Sequence, residues 1–338
     1  MGKFGALMSE QVMRAELVRD EPEYAAELES TLQRRIDGEV RFDSGSRGAY
    51  STDGSNYRQF PIGVVVPKSI DDAVRAIEVC RQFGAPITSR GAGTSLAGQS
   101  CNVSVIIDWT KYLYHVLEID PHRRTARVEP GCVLDRLRHL AESKYGLTYG
   151  PDPSTHSHCT MGGMIGNDSC GVHSVMSEFY GPGPRTEHNV ETLDILTYDG
   201  ARFTVGPTTE VELQQIIDAG GQRGEIYRHL RDLRDNYASL IRKRMPHLLR
   251  RVSGFNLDAL LPENNFNVAR ALVGTEGTCV TVLGATVKLI PAPKARALVV
   301  LGYPSVYEAA DHIVQIRECR PIGLEGIDDK LVQYMKRK

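Results

Sequence analysis

A run of small residues, Ser89-Arg-Gly-Ala-Gly-Thr-Ser-Leu-Ala-Gly-Gln99, limits the folds open to this chain more than any other stretch. Gly91, Gly93 and Gly98 can take positive φ and admit close approach of a bulky group. Successive N–H groups in such a loop converge on an anion. Thr94 and Ser95 add hydroxyl donors and Arg90 a fixed positive charge. A hydrogen bond to a charged group contributes roughly 1.5–3 kcal/mol. Four of them reach about 8 kcal/mol, micromolar-scale binding before ordering costs are counted. The loop reads as the seat of a pyrophosphate, with an ordinary flexible loop as its rival.

Its surroundings favour the first reading. Gly63-Val-Val-Val66 is a short buried strand ended by Pro67. Ser69 and Asp72 have capping-box spacing, and Ile70, Ala73, Val74, Ile77, Val79 and Cys80 form a helical apolar stripe. Gly84 and Pro86 stop that helix, and Ile87-Thr88 starts a second strand. The segment after the loop, Cys101-Asn-Val-Ser-Val-Ile-Ile-Asp108, is β-branched and again reads as a strand. A dinucleotide fingerprint would need a third glycine three residues after Gly93 and a helix next. Neither is present, so a nicotinamide-binding fold loses its main support.

Helical spacing of Leu17, Ala25, Leu28, Leu32 and Ile36 predicts one or two lead-in helices over 9–37. Residues 41–57 are rich in turn formers and read as loop. Tyr50, Asp53, Asn56 and Tyr57 there either face a ligand or simply cover the surface. Val116–Asp120 and Thr125–Glu129 read as paired strands, and a helix near Val133–Lys144 is ended by Gly146. Asp199-Gly200, between two apolar runs, is the strongest hairpin signal in the chain. Helices are expected over Glu210–Ala219 and Ile226–Arg244.

Two further glycine-rich stretches stand out. Tyr149 to Gly171 combines rigid prolines, hydroxyls and amides, able to wrap a large flat ligand. His156, His158 and Cys159 within it invite a metal, but no partner stands at a diagnostic spacing. His173 and His188 read as loop or core histidines. Val273-Gly-Thr-Glu-Gly-Thr-Cys-Val-Thr281 leads into an apolar run, and Pro291 and Pro293 mark a boundary. Beyond it, strands over Ala297–Gly302 and Ile322–Glu325 alternate with helices over Tyr307–Arg317 and Asp328–Met335, the opening of a second domain.

Bulk composition narrows the classes. The 338 residues suffice for two domains, and 40 basic against 42 acidic residues argue against a nucleic-acid binder or a polybasic membrane anchor. No apolar run has the length of a transmembrane segment, and the N-terminus has no signal-peptide pattern. Seven widely spaced cysteines without C-x-x-C read as reduced thiols of a cytoplasmic protein, not as zinc or iron–sulfur ligands.

The three glycine stretches, in this order, resemble the FAD-binding domain of the vanillyl-alcohol oxidase / p-cresol methylhydroxylase (PCMH) superfamily. The nearest branch holds the FAD-linked oxidases related to D-lactate, glycolate and D-2-hydroxyglutarate dehydrogenases, in particular the N-terminal part of long bacterial proteins that continue into an iron–sulfur region. The resemblance covers roughly Arg41 to Pro293. It implies an α+β fold: a lead-in over 1–40, a two-subdomain PCMH-type FAD-binding domain over 41–293, and the start of a ferredoxin-like α+β cap over 294–338.

By this resemblance Ser89, Arg90, Gly91, Ala92, Gly93, Thr94, Ser95 and Gly98 hold the FAD pyrophosphate. Asp152, Pro153, Ser154, Thr160, Gly162 and Gly163 line the flavin and ribityl chain, closed by Asn167, Ser169 and Gly171. Glu276, Gly277, Val280 and Val282 contact the adenine side. Relatives with covalent FAD often carry histidine where this chain has Thr94, which implies non-covalent FAD here. The family's cap supplies the basic residue for the substrate carboxylate and, in the hydroxyacid branch, a metal cluster. Those motifs are missing, so no catalytic base and no metal ligand are assigned.

The implied chemistry is oxidation of a small D-2-hydroxy acid by hydride transfer to flavin N5. Electrons would leave to an iron–sulfur domain, quinone or cytochrome outside this chain, at the inner face of the membrane if the acceptor sits there. Three rival readings remain: an FAD-binding fragment or subunit inactive without a partner, a nicotinamide enzyme, and a sugar-nucleotide binder using the same anion loop.

Overall fold

A computed structural model describes residues 22–337. Leu17 and most of the first lead-in segment lie outside them. The helix Ala25–Arg35 buries Ala25, Leu28 and Leu32 in one core with Ala76, Ile77, Val79 and Cys80. A four-stranded sheet follows, formed by β1 (Glu39–Arg41), β2 (Gly63–Val66), β3 (Ile87–Arg90) and β4 (Val105–Asp108) in the order β1-β2-β4-β3. β2 and β3 run parallel to β4, and β1 is antiparallel to β2. Val64–Val66 and Val105–Ile107 are fully apolar because both faces of these central strands are covered. The helix Ile70–Gln82 makes the crossover. Ser69 caps it, accepting from Asp72 N at 3.1 Å. The return half of the expected capping box is absent: Asp72 instead accepts from Asp37 N and Lys68 N, both at 3.1 Å. It therefore pins the lead-in to the crossover helix.

A second, antiparallel sheet holds β5 (Val116–Asp120), β6 (Thr125–Val128), β8 (Val190–Leu196), β9 (Arg202–Val205) and β10 (Thr281–Lys288), ordered β5-β6-β10-β8-β9. Between them in sequence, β7 (Leu147–Thr148) pairs with β11 (Ile290–Pro291). The β8–β9 hairpin turns at Asp199-Gly200, where Gly200 takes φ +95°. Gly146, at φ +63°, ends the helix Leu134–Tyr145 in the left-handed conformation. The helices Glu210–Ala219 and Gly221–Arg244 bring Leu213 and Tyr227 onto the core of this sheet.

Two further expectations fail. Residues 41–57 are not all loop: Asp43 accepts from Ser46 N at 2.9 Å and nucleates the short helix Ser44–Ala49. The side-chain cap outweighs the poor helix propensity of its serines and glycines. Beyond Pro293, neither 297–302 nor 322–325 is a strand. The helices do form, over Val306–Asp311, Ile313–Glu318 and Asp329–Lys336. A helix satisfies its own backbone, whereas a strand needs a neighbour. No strand lies beside 297–302 among the described residues, and Leu298 stays 90% exposed. The fold is a mixed helix-and-sheet one.

Candidate cofactor-binding site

The loop between β3 and β4, the segment 153–170 and the segment 272–282 meet around a cavity of about 420 Å³, within the usual range for small-molecule sites. Ser89, Arg90, Gly91, Ala92, Gly93, Thr94, Ser95, Pro153, Ser154, Thr160, Gly162, Gly163, Asn167, Ser169, Glu276, Gly277, Val280 and Val282 all border it. Gly98, Asp152 and Gly171 do not. Gly98 takes φ +81° in the turn beside the Tyr57 ring. Asp152 faces away, its carboxylate accepting from Arg138 Nη1 at 3.0 Å and pairing with His173 Nδ1 at 2.5 Å. Gly171 is small because the Asp152–Pro153 backbone presses against it.

The glycine loop presents bare main chain. Among the described residues, none accepts from the N–H groups of Gly91 to Leu96, and the hydroxyls of Thr94, Ser95 and Ser154 have no partner. Gly91 lies so close to the capping residue Thr160 that an added Cβ would come 2.2 Å from its Oγ1. Thr160 in turn accepts from Gly163 N at 3.2 Å. The first and second stretches are thus packed into one wall. Unpartnered N–H groups with hydroxyls beside them suit an oxyanion such as a diphosphate.

Arg90 has a different role from the one its charge suggests. Its guanidinium is buried and donates to the carbonyls of Tyr50 and Ser100 at 3.1 Å and of Thr52 at 2.7 Å. It also stacks over the Tyr50 ring. Arg90 braces the loop from behind. Asp53 is likewise structural, accepting from Ser55 N at 2.8 Å and Ser100 Oγ at 2.9 Å.

Glu276 ties the three stretches together. Its Oε1 accepts from Asn167 Nδ2 at 2.9 Å and from Gln99 Nε2 at 3.3 Å. Its main-chain N–H donates to Gly166 O at 2.9 Å, and it holds φ +52°. Gln99, Gly166, Thr275, Trp109, Asp168 and Cys170 also border the cavity, though sequence reading gave them no role there; Cys159, weighed in the sequence as a metal ligand, borders it too.

Behind this wall lies a buried ion network. Arg185 Nη1 donates to Asp168 Oδ2 at 2.7 Å and Asn256 Oδ1 at 3.0 Å, and Nη2 to Glu187 Oε2 at 2.9 Å. Arg270 also pairs with Glu187. Burial pushes the Asp168 carboxyl above its usual range, against the pull of Arg185. Among the described residues, Arg185 Nε and Tyr149 Oη are the buried side-chain polar atoms without a hydrogen-bond partner. Asn256 Nδ2 donates to Val273 O at 2.9 Å, which links the network to the third stretch. The metal-inviting histidines have ordinary partners: His156 Nδ1 meets Asp135 Oδ2 at 2.8 Å, and His158 Nδ1 meets Ser157 Oγ at 2.8 Å.

His188 sits beside this network, and burial pulls its imidazole down to about 4, only partly opposed by Glu187. The unfolded chain therefore takes up this proton first as pH falls. The stability it protects is intact above the ordinary histidine value and is lost progressively down to about 4. We expect the protein to lose about 2–3 kcal/mol over that window beyond the loss in His188→Gln. Urea titrations across the window check this; parallel losses in both proteins would exclude His188 as the cause.

Comparison with known proteins agrees with this geometry. Residues 61–206 match the FAD binding domain family. That match covers under half of the chain and includes the glycine loop and the segment 153–170. The chain is 31% identical to D-2-hydroxyglutarate dehydrogenase of Pseudomonas putida, over 91% of its own length and 30% of that protein. It is 29% identical to glycolate oxidase subunit GlcD of Bacillus subtilis, over 87% of its length and 52% of that subunit. It is 23% identical to D-lactate dehydrogenase of Archaeoglobus fulgidus, over 80% and 48%. The chain thus spans about half or less of the curated relatives it matches. A solved alkyldihydroxyacetonephosphate synthase shares the fold, with TM-score 0.60 and 18% identity over 89% of this chain and 50% of that one. No helix among the described residues is long and apolar enough to cross a membrane.

Proposed function

We propose that the chain holds FAD non-covalently across its three glycine stretches, as the cofactor-binding part of a D-2-hydroxy-acid dehydrogenase. The observation that carries this reading is the convergence of those stretches on one cavity rimmed by unpartnered N–H groups. The N–H groups of Gly91 to Leu96, with the hydroxyls of Thr94 and Ser95, would hold the diphosphate. Pro153, Ser154, Thr160 and Gly163 would line the flavin side, and Glu276 the adenine side. Non-covalent binding fits the lining: it includes no histidine, and burial pushes the Cys159 thiol up to about 11, so it stays protonated. Bound FAD would supply the acceptor for a hydride from the substrate carbon.

Among the described residues, no histidine or lysine lines the cavity to serve as a base or to hold a substrate carboxylate. In this reading those groups would be brought to the flavin by residues outside the cavity lining, from this chain or a partner. Residues 41–293 are the FAD-binding domain in this reading, and 294–338 begin a ferredoxin-like substrate domain. The same observation favours a second reading, in which this chain binds FAD but turns nothing over by itself. Electron transfer to an iron–sulfur centre, quinone or cytochrome belongs to either reading.

An absorption spectrum of the purified chain, followed by acid precipitation, tests the proposal. Bands near ~450 nm that move to the supernatant are expected of non-covalent flavin. A colourless chain that takes up no added FAD overturns the proposal. Anaerobic bleaching of those bands by D-lactate, glycolate or D-2-hydroxyglutarate would favour turnover by this chain. Bound flavin that none of them bleaches would favour the second reading.

A further inference from the structure

A second cavity, of about 310 Å³, opens between the β5–β6 turn and the bend from β10 to β11. Arg123, Arg124, Glu191 and Lys288 stand around it. It lies at the far end of β10 from the cofactor cavity. Val282 borders the first and Lys288 the second, a separation of about 20 Å at the usual strand rise.

The charges here are not balanced within the protein. Arg123 pairs with Glu191, which occupies the one carboxylate in the lining. Lys288 and Arg124 have no side-chain partner among the described residues. Lys288 is partly buried, and burial and Arg270 both push its ammonium below the ordinary lysine range, while Glu191 and Glu187 pull the other way. Holding an unpartnered ammonium there costs stability that an aliphatic residue paired with Thr125 would not. Arg124 is unusual as well: it takes φ +54°, where asparagine or glycine fits better. That conformation turns its carbonyl to accept from Leu289 N at 2.7 Å and leaves its side chain on the cavity wall.

We propose that this cleft is a second binding site, for a small oxyanion, phosphoryl or carboxylate, held between Lys288 and Arg124. Lysine supplies a point charge and arginine a planar fork for two oxygens. With Glu191 neutralised by Arg123, the cleft keeps a net positive charge for one anionic head group.

Calorimetric titration of the whole chain with inorganic phosphate, and separately with succinate, tests this, each with and without saturating FAD. With FAD saturating, so that the glycine loop is occupied, one saturable site is expected. Lys288→Gln and Arg124→Asn should each weaken it about tenfold or more. Asparagine preserves the left-handed backbone at 124, so that variant carries the test if Lys288→Gln does not fold. Arg202→Gln, which removes an exposed charge paired with Asp71 elsewhere, should leave the affinity unchanged. Tighter phosphate binding names a phosphoryl ligand, and tighter succinate binding a carboxylate. Heat that never saturates overturns the site. So does equal weakening by Arg202→Gln, or loss of phosphate binding when FAD is present, which would place the anion in the glycine loop.

Discussion

Gly171→Ala should destabilise the protein by about 3 kcal/mol or more. A Cβ at this position would lie 1.6 Å from Asp152 O, 2.2 Å from Asp152 C and 2.7 Å from Pro153 N. All three are backbone atoms, and they cannot retreat freely. Asp152 is fixed by Arg138 through one oxygen and by His173 N, at 3.1 Å, through the other. Gly48→Ala is the control, because an added Cβ there meets nothing within 4 Å and φ is not positive. It should be neutral or slightly stabilising within the helix Ser44–Ala49. Thermal and urea unfolding of both variants would check this. A loss below about 1 kcal/mol in Gly171→Ala would mean that the 152–153 backbone can move aside.

Arg185→Met should lose about 3–5 kcal/mol. Arg185 is 5% exposed, and its removal leaves Asp168, 1% exposed, without its cation. Glu187 keeps Arg270, so the damage concentrates on Asp168. Adding Asp168→Asn should recover part of the loss, because asparagine is neutral and tolerates the φ of +56° held there. Equilibrium urea denaturation of the single and double variants separates the causes. Equal losses would show that the shape of the guanidinium matters and its charge does not. Because Asp168 borders the cofactor cavity and Asn256 holds Val273, FAD affinity should fall together with stability.

Features written in neighbouring residues were legible in the sequence. Asp199-Gly200 set the β8–β9 turn, Gly146 the helix end, and Ser69 the start of the crossover helix. The glycine loop's place between β3 and β4 followed from two short β-branched runs. Contacts between distant residues were not legible. Glu276 meets Asn167 and Gln99 across 109 and 177 residues, and no local pattern marks a glutamate for that task. Arg90 carried a true signal of position and a misleading one of charge, because composition does not say which way a side chain turns. The run 298–301 has strand-forming side chains, but strand formation is a property of two segments, and no described strand pairs with this one.

The way Arg90 is used has a consequence for how the cofactor cavity responds to ionic strength. With its guanidinium engaged by three carbonyls, the anion-facing surface of the loop consists of peptide dipoles and hydroxyls. Dipoles at hydrogen-bond range are screened far less by dissolved salt than a mobile surface charge is. Few counterions gather at such a surface, so few are released when a ligand arrives. In the reading proposed here, diphosphate binding in this loop would be governed by shape and local hydrogen bonding, and would persist at salt concentrations that strip ligands from arginine-lined sites.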